Sequence, residues 1–220
     1  QVPLMLEDSG VADFICERLN IPCDPPDLTE WRDMVSHIKN SKPVITVGIV
    51  GKYVELEDAY ISVYEALQHA ATQQDCEVNI EWISSEDLER MRGFDRLERV
   101  NGIVVPGGFG ERGIEGKVVA AKFARLREVP YLGLCLGMQV MVIELARHAF
   151  ESEDANSTEF NPTTPHPVID LMPDQRDITD MGATMRLGLY PCALQSGSLA
   201  ARAYQRELVQ AYSLKAFGNQ

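Results

Sequence analysis

The apolar positions change their spacing twice along the chain. Val11, Phe14, Ile15 and Leu19 follow Ser9-Gly10 at helical intervals, and prolines at 22, 25 and 26 end that helix in a linker over residues 20–28. Thr29 is placed to cap a second amphipathic helix with Trp31, Met34, Val35 and Ile38 on one face, which Asn40-Ser41-Lys42-Pro43 breaks. A domain boundary near residue 43 follows, with 1–43 as leading segment and linker and 44–220 as the main domain.

From Val44 the pattern alternates. Residues 44–50 are a β-branched run ending at Gly51, suited to a strand buried on both faces, and Ala59, Val63, Leu67, Ala70 and Ala71 return to helical spacing. Strand is then predicted over 77–83, a short helix over 84–91 capped by Ser84 with Asp87 three residues on, and strand over 102–106. Helix over 117–126, strand over 130–134 and helix over 136–148 complete the series. This order predicts an α/β fold, a doubly wound, mostly parallel sheet with helices on both faces. Ligands bind such sheets at the carboxyl ends of the strands, where two glycine-rich turns fall, one after Pro106 and one around Cys135. Residues 150–181, with four prolines, read as a long loop; 182–188 reads as a returning strand and 198–212 as a helix.

Composition narrows the function. The 220 residues suffice for one α/β domain plus a leader, and 45% hydrophobic content is that of a globular chain. A net charge of −13 argues against nucleic acid or an anionic membrane as partner, though not against a small anion held by backbone N–H groups. No apolar run is long enough for a membrane helix: the stretch from Pro130 to Ile143 is broken by Gly133, Gly137 and Gln139. The start Gln1-Val2-Pro3 has no leader character, so the chain reads as cut from something longer. Five scattered cysteines without C-x-x-C fit a reducing, cytoplasmic setting and no metal site, and His37, His69, His148 and His166 read as structural.

The chemistry lies in Tyr131-Leu132-Gly133-Leu134-Cys135-Leu136-Gly137-Met138-Gln139. A strand runs into G-x-C-x-G and then a helix, the nucleophile-elbow arrangement with Cys for Ser. Cys135 would stand at a helix N-terminus, where the dipole and free N–H groups favour a thiolate nucleophile. The plain alternative is a buried Cys in a glycine-rich turn. Pro106-Gly107-Gly108-Phe109-Gly110 could aim backbone N–H groups at an anion, and the N–H groups of Gly108 and Leu136 could together form an oxyanion hole. A glycine-rich turn alone is weak evidence; its weight comes from sharing a sheet edge with Cys135.

These motifs, GLCLGMQ and PGGFGERGIEGK with this strand order, resemble the class I (triad) glutamine amidotransferase family. More narrowly, GKYVELEDAY over 51–60, NSTEF over 156–160 and MRLG over 185–188 are similar to the C-terminal half of the CTP synthase family. The resemblance implies that Cys135 attacks the side-chain amide of glutamine and forms a thioester, with Gly108 and Leu136 as oxyanion donors. It implies that Gly108, Phe109, Leu136, Gly137, Met138 and Gln139 line the glutamine site and that Glu159 takes the α-ammonium group. It also implies no cofactor on this segment. It further implies an amidoligase domain of the same polypeptide that uses ATP with Mg2+ to aminate UTP to CTP, with GTP as activator, and homotetramers for full-length members. Residues 2–19 would be the tail of that amidoligase domain.

One departure matters. The family completes its triad with a downstream His-x-Glu, and this chain has none; His148 lies 13 residues along one helix from Cys135, about 20 Å at 1.5 Å per residue. The expectation is therefore a weak or inactive glutaminase. The rival readings are an assembly or regulatory module that keeps the elbow as architecture, and a small cysteine hydrolase or stress protein.

Overall fold

The computed structural model describes residues 1–39, 42–108, 110–170 and 188–213. The chain divides into two compact units, Gln1–Ile45 with Ile61–Asn79, and Thr46–Tyr60 with Ile80–Gln220.

In the first unit, α1 (Val2–Asp8) precedes the predicted helix, which is α2 (Val11–Leu19). Neither helix buries a residue: Met5, Phe14 and Leu19 are all more than half exposed. Asn20, with positive φ, ends α2: its N–H donates to the Glu17 carbonyl, and the N–H of Ile21 donates to the Cys16 carbonyl. Cys16 and Cys23 form a disulfide across this helix end. The left-handed turn at Asn20 folds the linker back onto α2 and so brings the two sulfurs together. α3 (Thr29–Lys39) begins at Thr29, and the cap comes from Asp27, whose Oδ1 accepts from Thr29 N at 3.0 Å and Thr29 Oγ1 at 2.6 Å. α4 (Ile61–Gln73) packs against α3 and buries Ala71, while Val35 is the buried residue of α3.

A four-stranded sheet has the order β2-β1-β3-β4, from β1 (Val44–Gly51), β2 (Glu77–Ser84), β3 (Gly102–Val105) and β4 (Tyr131–Gly133). β3 lies parallel to both its neighbours, with Ile49 opposite Val104 and Val104 opposite Leu132. Consecutive residues Ile49 and Val50, and Ile103 to Val105, are buried, which requires cover on both faces of the sheet. One apolar cluster gathers Val50, Ile83, Leu88, Leu97, Ile103 and Val105; the other gathers Ile114, Val118, Leu136, Val140, Ile143 and Ile169. α7 (Ile114–Arg127) feeds both, through Ala120 and Ala124 on one side and Ile114, Val118 and Ala121 on the other. The short helices α5 (Ser85–Glu89) and α6 (Phe94–Leu97) follow β2; Ser84 caps α5 by accepting from Asp87 N, as its sequence predicts.

α8 (Leu136–Phe150) packs on α7 and is tied to it by two ion pairs. Arg125 grips buried Glu144 at 2.8 Å, and Arg147 grips Glu115 at 2.6 Å while its Nε donates to the Ala155 carbonyl. Hydrogen bonding to Glu115 holds Arg147 above the ordinary guanidinium range.

Beyond α8 the structure departs from the single-loop expectation. β5 (Ala155–Ser157) and β6 (His166–Ile169) pair in parallel inside the predicted loop. The expected strand over 182–188 lies outside the described residues except Gly188, where β7 (Gly188–Ala193) begins. The predicted helix over 198–212 is shorter: α9 (Leu199–Tyr204) stops at Gln205, which has positive φ, and β8 (Leu208–Ser213) pairs antiparallel with β7. Pairing with a strand some twenty residues away overrides the weak helical pattern there. Among the described residues no helix is long and apolar enough to cross a membrane.

Candidate active site

Two β→α turns meet at the carboxyl edge of β3 and β4. At the second of them, Cys135 has φ 54° and ψ −108°, a conformation that non-glycine residues avoid and that costs about 1–3 kcal/mol. The surroundings enforce it. Leu134 N donates to the Val105 carbonyl at 2.9 Å, Gly137 N donates to the Leu134 carbonyl at 3.0 Å, and the Tyr131 hydroxyl donates to the Gly137 carbonyl at 2.9 Å. Tyr131 is largely buried, and burial raises its hydroxyl above the ordinary tyrosine range, so it stays a neutral donor.

The flanking glycines permit this approach. A Cβ on Gly133 would run into the backbone of Gly137 and Met138, and one on Gly137 would run into the Val105 carbonyl. Gly137→Ala is expected to cost about 3 kcal/mol or more, because the obstacle is sheet backbone and cannot rotate away. Urea unfolding measures this; a loss under about 1 kcal/mol would show that the turn has room.

The first turn lies against the sulfur. A Cβ on Gly107 would sit 3.2 Å from Cys135 Cβ and 3.7 Å from Sγ; one on Gly108 would sit 3.8 Å from Leu136 Cδ2. Leu136 is fully buried at the first position of α8, where backbone N–H groups have no intrahelical acceptor. The structure therefore brings Gly108, Cys135 and Leu136 close together. Phe109 lies outside the described residues. Gln139, in the first turn of α8, is 1% exposed, and its side-chain amide has no hydrogen-bond partner among the described residues. Met138 is exposed, and Glu159 is exposed on the turn after β5, its N–H donating to Ser157 Oγ. Phe160 beside it packs on the cluster that contains Leu136.

Sequence reasoning missed two lysines. The Tyr60 hydroxyl accepts from Lys52 N at 3.1 Å and Tyr53 N at 3.3 Å, which pins the end of β1, and Lys52 Nζ donates to the Gly110 carbonyl at 3.4 Å. Lys117 is fully buried, with Nζ 3.7 Å from the position of a Gly108 Cβ. Burial, together with the charge of Lys52 and against the opposing pull of Cys135, lowers Lys117 to about 8, so it is mainly a cation at neutral pH. Its helical phase was the available signal: it shares the stripe of Ile114, Ala120, Ala121 and Ala124, all buried.

His148 and His166 do not join Cys135. His148 is near the C-terminal end of α8, and the His166 ring lies 5.0 Å from Phe150, the last residue of that helix. Among the described residues no group of three or more His, Cys, Asp or Glu could hold a metal ion.

Comparison with known proteins agrees with this geometry. The model of the family described as Glutamine amidotransferase class-I matches residues 55–216. The chain is 58% identical over 210 residues to a CTP synthase of Chloroflexus aurantiacus, covering 96% of this chain and 38% of that protein. It is 53% identical over 210 residues to one of Pelotomaculum thermopropionicum, covering 96% and 39%. It thus spans about two fifths of the length of the curated relatives it matches. Among solved structures, the glutaminase domain of Trypanosoma brucei CTPS with bound acivicin superposes with TM-score 0.66 at 36% identity, covering 76% of this chain and 65% of that one.

Proposed function

Since the chain belongs to the class I glutamine amidotransferase family, we propose that it is the glutaminase part of a CTP synthase and that Cys135 is its nucleophile. The observation that carries this reading is the strained Cys135 at the start of α8, with the Gly107–Gly108 turn against its sulfur. The thiolate adds to the side-chain carbonyl carbon of glutamine, forming a C–S bond and an oxyanion. The N–H groups of Gly108 and Leu136 stabilise that charge where it develops. Collapse breaks the C–N bond, and the nitrogen leaves as ammonia once it takes a proton. Water then adds to the thioester, a second oxyanion forms in the same place, and glutamate departs with return of the thiolate.

Glu159 would bind the α-ammonium of glutamine, and Gln139 would satisfy its buried amide on the substrate. Phe109, Gly137 and Met138 complete the lining. The relatives' greater length leaves room for an amidoligase domain in the same polypeptide, which would take the ammonia and aminate UTP to CTP. ATP with Mg2+ and the activator GTP belong to that chemistry, and no residue here is assigned to them. Residues 1–43 would be the tail of that domain and the connector, with 44–220 the amidotransferase domain. A cytoplasmic setting would leave the Cys16–Cys23 bond open to reduction. Full-length assembly would be tetrameric.

Acivicin tests the site. One adduct per chain is expected, at Cys135 and suppressed by glutamine; labelling shared with Cys76 and Cys192, or none at all, would favour an architectural module with no working site.

A further inference from the structure

Lys117 stands where a lysine with a purely structural role is poorly placed. Its side chain is fully buried, and Nζ has no hydrogen-bond partner among the described residues, a costly state for a cation. It belongs to the first turn of α7, where the helix dipole disfavours positive charge, and its amide donates to the Gly113 carbonyl at the helix start. A side chain there leans back toward the N-terminus, which carries Nζ to the Gly107–Gly108 turn. A second cation, Lys52, approaches the same glycine with Cε 3.7 Å from the Gly108 Cβ position. Burial, dipole and like charge all oppose Lys117. The Cys135 sulfur lies across the same turn, 3.7 Å from the position of a Gly107 Cβ, while Lys117 Nζ lies 3.7 Å from that of a Gly108 Cβ.

We propose that Lys117 is a positioning residue for the nucleophile: from behind the Gly107–Gly108 turn, its buried ammonium favours the anionic sulfur of Cys135 and faces the side on which negative charge develops during acyl transfer. The inference rests on Cys135 being the nucleophile. It assigns to α7 a part in the chemistry that neither the elbow nor the oxyanion loop supplies. Perturbed, desolvated lysines collect at such sites because the surrounding fold bears their cost.

The test is alkylation of the full chain by iodoacetamide at pH 7, with the rate at each cysteine followed by peptide mass spectrometry. Cys76 serves as the internal reference, being half-buried like Cys135. Cys135 is expected to react more than about tenfold faster than Cys76, and Lys117→Met to remove about tenfold of that rate while leaving Cys76 unchanged. Lys117→Arg, which keeps the charge, should recover most of it. The Met variant should unfold no earlier than the parent, since it removes a buried charge. An unchanged Cys135 rate in a folded Lys117→Met chain would overturn the proposal. So would a parent chain in which Cys135 reacts no faster than Cys76, a result that needs no variant to fold. Iodoacetamide does not require the glutamine site. A chain that alkylates as expected and ignores acivicin would therefore refute the glutaminase reading alone, and one that takes acivicin with a Lys117-independent rate would refute only the role of Lys117.

Discussion

Cys135→Ala is expected to abolish covalent labelling by acivicin, from one adduct per chain to none, and to lower any glutamine-dependent ammonia release by about 10³-fold or more. The substitution removes the sulfur proposed to form the thioester and changes little else. Alanine at φ 54° bears the same backbone strain as cysteine, and the hydrogen bonds that hold the elbow come from Leu134, Gly137 and Tyr131. Stability should therefore stay within about 0.5 kcal/mol of the parent, so that lost labelling reports chemistry and not unfolding. Persistent stoichiometric labelling of the alanine variant would move the nucleophile elsewhere, with Cys76 and Cys192 the remaining free thiols among the described residues.

The second large effect concerns the chain as it is. Its ammonia release is expected to run about 10²–10⁴-fold below that of a glutaminase whose cysteine has a partner base, the range that one positioned acid–base group contributes. Alkylation of the sulfur involves no leaving amine that must take a proton, so labelling survives. Expulsion of ammonia needs a proton delivered to nitrogen, and thioester hydrolysis needs one removed from water. His148 lies about 20 Å along α8 from Cys135, and His166 packs its ring, tilted, beside Phe150 at the same far end. Lys117 holds its proton at neutral pH and is a poor base there. Added imidazole should raise the rate in proportion to its concentration, by carrying the proton. Release at about 10 s⁻¹ without imidazole, an ordinary enzymatic turnover, would mean that another group of this chain serves as base.

Much of the fold was legible because buried parallel strands and the helices between them write their periods locally. β1, β2 and β3 appear within a residue or two of their predicted ends, and Ser84 caps α5 through the hydroxyl its position suggested. The failures share a cause. β8 reads as helix because its partner β7 is remote in sequence, and β5 and β6 read as loop because each is short and has the other as its strand partner. Pairing of this kind depends on a neighbour that no window of residues contains. The cap of α3 went to Asp27 because the turn before the helix, and not the preference of Thr29 alone, decides which oxygen reaches the free N–H groups.

The site divides the same way. The residue order by itself determined that a cysteine would end a buried strand and open a helix, that glycines would flank it, and that a second glycine turn would share the sheet edge. Only the tertiary structure decided that the Gly107–Gly108 turn lies against the sulfur, that both distal histidines sit at the wrong end of α8, and that Lys117 is buried beside the turn. The reason is physical: a local pattern sets the backbone path and the buried face of each element. Which charges then meet, and which stay without partners, is set by elements packing at crossings that only the folded chain creates.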